Sequence, residues 1–80
     1  MEKEIGKVIH YYDRAGVAVI RLSDALNVGD TVKFKKGETE FEETIDSMEV
    51  EHQAIESAQA GQEVAVKVSQ KAREGTAVLQ

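Results

Sequence analysis

The chain has no cysteine, no proline and no tryptophan, and two Tyr and two Phe are the whole of its large aromatic complement. Without cysteine there is no disulfide, no thiolate metal ligand and no cysteine nucleophile. With aromatics at 5% and hydrophobic residues at 41%, the core has to be built from Val, Ile, Leu and Ala. No apolar run approaches the roughly 18 residues of a membrane span, so no membrane partner is expected. No signal-peptide pattern follows Met1, and a cytoplasmic location is expected. A Gly-x-x-x-x-Gly-Lys-Ser/Thr run is also missing, which removes a phosphate-cradling loop and with it a GTP-binding site. His10 and His52 are the only imidazoles and lack the spacing of a metal pair. Eighty residues make one domain, 1–80, which hides only roughly 60–65% of its unfolded surface.

What is present is unevenly distributed. The net charge is −5, yet residues 1–37 carry +2 and residues 57–80 carry +1, while residues 38–56 hold eight acidic and no basic side chains. A uniformly acidic protein would be repelled by phosphate backbones. Here Lys33, Lys35 and Lys36 can still form a local basic patch. The plainer reading makes these charges solvated faces and cross-strand partners, with Glu40, Glu42, Glu43, Glu49 and Glu51 as solvated carboxylates balancing the three lysines across a hairpin at Gly37.

Gly6, Gly16, Gly29, Gly37, Gly61 and Gly75 mostly fall where apolar runs begin or end, as turn residues do. Between them lie short strand-like segments at Ile5–His10, Val17–Leu22 and Thr31–Lys36. Val64, Val66 and Val68 alternate with outward Ala65 and Lys67, and Val78 anchors a last strand. Short strands at near-regular spacing argue for a sandwich or barrel. Residues 38–60 are ambiguous. Phe41, Ile45, Met48, His52 and Ile55 recur at helical steps, with Thr39 placed to cap. The strand alternative needs two alternating pieces and a bulge near Asp46–Ser47 to flip the inward phase.

Several segments, taken in order, carry a resemblance. Gly6-Lys7-Val8 opens the chain, Gly16-Val17-Ala18-Val19-Ile20 follows, and Leu26-Asn27-Val28-Gly29-Asp30 leads into Val32-Lys33-Phe34. Thr44-Ile45-Asp46-Ser47-Met48, Ala58-Gln59-Ala60-Gly61 and Arg73-Glu74-Gly75 complete the series. Together they resemble the second-domain β-barrel of the elongation factor Tu superfamily, and the small stand-alone translation elongation factor-like proteins. Gln62 and Thr76 depart from the pattern, which usually has Asp after these glycines.

The resemblance implies an all-β fold: a small closed six-stranded antiparallel β-barrel with one short helical turn near Ala54–Ala58. It also turns residues 38–60 into a long bulged strand. It implies a monomeric, non-catalytic binding module without cofactor or metal, contacting tRNA, rRNA or a translation-machinery protein. For RNA, the expected phosphate and stacking contacts are Lys33, Lys35, Lys36, Tyr11, Tyr12 and Arg14. The plainer reading of Tyr11 and Tyr12 is a hairpin loop whose rings cover the barrel end. Similar barrels occur as C-terminal appendages of collagenase-like peptidases. The alternative function is therefore a protein-interaction accessory for such an enzyme, with the acidic face of residues 38–51 meeting a basic partner. An enzyme in its own right is not expected, since nucleophile, base and pocket are all missing.

Overall fold

Three glycine-centred turns set the path of the chain in this computed structural model, which describes residues 3–80. In Asn27–Asp30, Gln59–Gln62 and Arg73–Thr76 the fourth residue's N–H donates to the first residue's carbonyl, at 3.1, 3.2 and 3.1 Å. The third residue of each is Gly29, Gly61 or Gly75, with φ of 98°, 91° and 89°. That positive φ is the requirement of a type II turn, and only glycine meets it without a Cβ penalty. The residue after the glycine adds a side-chain bond. Asp30 Oδ2 accepts from the Asn27 N–H at 3.0 Å, and Gln62 Oε1 accepts from the Gln59 N–H at 2.7 Å. Gln62 thus makes the cap an Asp would make. Thr76 instead donates its hydroxyl to the Arg73 carbonyl at 2.6 Å and is buried.

Ten strands lie between the turns: β1 Glu4–Tyr12, β2 Val17–Leu22, β3 Leu26–Asn27, β4 Thr31–Lys36, β5 Thr39–Thr44, β6 Met48–Val50, β7 Gln53–Ile55, β8 Ser57–Ala58, β9 Glu63–Lys67 and β10 Ala77–Leu79. Eight form one antiparallel sheet in the order β5-β4-β10-β1-β2-β9-β6-β7, and β3 pairs with β8 in a second, small sheet. No helix occurs among the described residues. The all-β expectation holds in that form. The closed six-stranded barrel does not, because the large sheet ends in two free edges, β5 and β7. The expected helical turn at Ala54–Ala58 is instead the end of β7 and the two residues of β8.

Period-two burial builds the core. Ala18, Ile20 and Leu22 of β2, Val32 and Phe34 of β4, and Val64 and Val66 of β9 all point to one face, joined by Met48 and Val78. Leu26 and Ala58 bring the small sheet into the same cluster. β1 is kept in phase by a bulge. Its register with β2 passes from Val8↔Ile20 to His10↔Val19, so Ile9 has no partner. One extra residue returns Tyr11 to the inner face, where it packs on the core, and turns His10 and Tyr12 outward.

The contested segment is four strands rather than a helix or one long bulged strand. Ile45 ends the first piece: its N–H donates to the Asp30 carbonyl at 2.8 Å and its carbonyl accepts from Gly29 at 2.7 Å. Those bonds fasten the chain to the Asn27–Asp30 turn between β5 and β6. β6 and β7 then form a hairpin whose two turn residues, Glu51 and His52, have φ of 51° and 66°. Positive φ at both turn positions matches the right-handed twist of the strands, although neither residue favours it.

Candidate functional site

The free edge at β5 is partly covered by the segment that joins β9 to β10. Ser69 donates both its N–H and its hydroxyl to Glu43 Oε1, each at 2.8 Å. This clamps the start of the segment to the C-terminal half of β5. Ala72, three residues on, is buried in the core. Alternation around that anchor sends the side chains on either side of it, Lys71 and Arg73, out to the surface. Lys36 reaches the same place from the end of β4 and donates to the Glu74 carbonyl at 2.7 Å.

The result is a hollow of about 480 Å³ between the N-terminal half of β5 and this segment. It is lined by Lys36, Lys71, Arg73, Thr39, Thr76 and the paired rings of Phe34 and Phe41. The two rings stack with centroids 5.1 Å apart and planes 21° from parallel, giving the hollow an apolar wall. A smaller hollow beside it is lined by Tyr11, Asp13 and Glu74 with the same three cations. The side chains of Lys71 and Arg73 form no ion pair or hydrogen bond within the described chain.

A second depression lies on the outer face of the sheet. Across it the register runs His10, Val19, Ala65, Glu49 and Ala54 on β1, β2, β9, β6 and β7. The short side chain of Ala65 leaves a shallow groove of about 610 Å³, walled by Tyr12, Val17, Val19, Val50 and His52. Tyr12 is half exposed and packs on the His10 ring at a centroid distance of 4.5 Å.

These placements divide the residues expected at an RNA contact. Lys33 and Lys35 lie on β4 opposite Glu42 and Glu40 of β5, as cross-strand charge partners. Lys36 and Tyr11 come together at the smaller hollow, but Tyr12 faces the outer groove and Arg14 sits in the β1–β2 turn. Lys71 and Arg73 were not among the sequence candidates. Their signal was faint: two basic residues around one alanine, on a loop distant in sequence from Lys36. The acidic stretch of residues 38–51 is likewise not one face. Glu40 and Glu42 lie beside lysines on β5, Glu43 is turned to Ser69, and Glu49 sits on β6 toward the opposite edge. Among the described residues no group of three or more His, Asp or Glu side chains is placed to hold a metal ion.

No family model matches the chain. An uncharacterized protease of Methanocaldococcus jannaschii is 38% identical over 76 residues, covering 94% of this chain and 19% of that protein. The chain therefore spans about a fifth of the length of that curated relative. Two crystal structures share the fold, both of the C-terminal domain of a Geobacillus thermoleovorans protein assigned to the U32 peptidases. The selenomethionine form superposes with a TM-score of 0.92 over 98% of this chain and 99% of that one, at 22% identity. The second gives 0.89 over 95% and 89%, at 23% identity.

These findings correct the resemblance to translation factors: the matches lead to peptidases, and the expectations of a role in protein biosynthesis and of RNA binding fall with it. The reason is physical. Gly29, Gly61 and Gly75 and the residues around them are what three type II turns require, so their series specifies turns and not ancestry. The chain has the fold of a peptidase's C-terminal domain and is similar in sequence to part of a protease.

Proposed function

We propose that this chain is a non-catalytic accessory module that docks on the catalytic body of a U32-type peptidase. The observation that carries this is the superposition on a peptidase's C-terminal domain over nearly the whole of both chains, joined to 38% identity with a stretch of a protease. The outer groove is the surface we assign to docking. It is apolar along Val17, Val19 and Ala65, has a half-exposed aromatic at Tyr12, and carries charge at its margin, the composition of a protein–protein contact.

The test mixes this chain with the Methanocaldococcus protease lacking its matching segment and follows the mixture by gel filtration. Co-elution of the two is expected, and Val19→Glu should abolish it by placing a charge in the middle of the groove. Separate elution at about 100 μM, where even weak specific contacts are populated, would refute the reading.

A further inference from the structure

The hollow beside β5 has a chemistry that docking through the outer groove does not use. Three cations converge on it from two separate parts of the chain, although the protein as a whole carries −5. Lys36 is held by the Glu74 carbonyl, while Lys71 and Arg73 have their donors unengaged. Arg73 offers a planar fork suited to a carboxylate, and Lys71 a mobile ammonium beside it. Phe41, half-buried on the edge strand, supplies apolar surface on the opposite wall, and Thr39 and Thr76 line the space between. A volume of about 480 Å³ lies in the range of preformed small-ligand sites.

We infer that this hollow binds a short acidic peptide segment, with a carboxylate held between Lys71 and Arg73 and a neighbouring apolar side chain against Phe41. The choice of a peptide rests on the reading of the chain as a peptidase accessory; the anionic and amphipathic character of the ligand rests on the hollow alone. A nucleic acid fits less well. Its phosphates continue beyond any one pocket, onto a protein whose net charge is −5. A single acidic side chain needs only the hollow itself, whose lining holds no carboxylate. The surrounding negative field makes the three-cation hollow the attractive place for a small anion to settle.

The experiment is an amide NMR titration of the full 80-residue chain with a short capped peptide of sequence Ala-Phe-Glu-Glu-Ala. Shift changes are expected at Lys36, Thr39, Phe41, Lys71, Arg73 and Thr76. The double substitution Lys71→Ala with Arg73→Ala should weaken binding by about tenfold or more, and Lys71→Arg should preserve it. Both side chains are exposed, so the dispersed spectrum of the double variant reports that it still folds. Equal binding of the Gln-for-Glu peptide, equal competition by a short RNA, an unaffected double variant, or no shifts at about 5 mM peptide would each overturn the assignment. Docking on the protease body is measured separately. A double variant that docks normally but has lost the peptide supports a distinct site; one that loses both makes the hollow part of the docking surface and removes the peptide assignment.

Discussion

At the scale of single residues, Gly6 is the position with least freedom. A Cβ there would lie 2.8 Å from both the Arg21 carbonyl oxygen and Ile20 Cγ2, where β1 crosses close to β2. The obstacle is backbone, which does not yield as a side-chain tip would. Gly6→Ala should therefore cost about 1–3 kcal/mol as an overpacking defect. A domain of this size has roughly 4–12 kcal/mol in all, so a urea melt resolves the change and an unshifted midpoint would contradict it. Gly29, by contrast, has open space where a Cβ would stand, with nothing within 4 Å, but needs its positive φ.

Asp24 offers a second residue-scale test. Its carboxylate is held below the ordinary aspartate range, first by the hydrogen bond from Lys3 at 2.6 Å, then by the Ala25 N–H and by the Lys3 charge. A lowered folded-state pKa means this contribution is present above the ordinary aspartate value and is lost as pH falls through the lowered one. Lys3→Met should move the Asp24 carboxyl titration upward in an NMR pH series; an unchanged titration would show that the Lys3 contact does not form in solution. Neither residue was legible beforehand. The sequence marks Gly6 as a turn-like glycine, but its real constraint comes from the paired strand β2.

At the scale of elements, legibility followed local periodicity. Val17–Leu22 and Thr31–Lys36 are strands with the expected bounds, because a half-buried strand writes its period directly into its residues. Residues 38–60 misled because Phe41, Ile45, Met48 and Ile55 keep helical spacing although they sit on different pieces of chain. Ile45 belongs to a connection and His52 to a turn, and only backbone bonds to Asp30 and Gly29 reveal the break. The β6–β7 hairpin was hidden for a related reason: its turn is Glu51-His52, and not the Asn-Gly that signals such a turn in sequence. This makes it improvable. Replacing Glu51 by Asn and His52 by Gly should relieve about 1–2 kcal/mol of left-handed strain. Melting should then rise by roughly 4–8 °C per kcal/mol relieved, and a lower melting temperature would contradict the turn geometry.

At the scale of the whole molecule, the sheet stays open, and what covers its β5 edge is the clamped segment from Ser69 to Arg73 rather than another strand. The resemblance implied closure, and an open edge invites aggregation. Here the shortness of β7 at one edge, and the acidic side chains on β5 with that covering segment at the other, manage the same hazard. The arrangement also creates the cationic hollow, since Lys71 and Arg73 are presented by the segment that replaces closure. Sequence alone could not bring Lys36, Lys71 and Arg73 together, because their meeting depends on how that segment returns over β5. On the far side of the molecule, β2, β9 and β6 leave the apolar groove assigned to docking. Amide hydrogen exchange of this chain, alone and with the truncated protease body, tests that assignment most directly. The account predicts slowed exchange confined to β1, β2, β9 and the β6–β7 hairpin; unchanged exchange there, or protection only along β4 and β10, would contradict it.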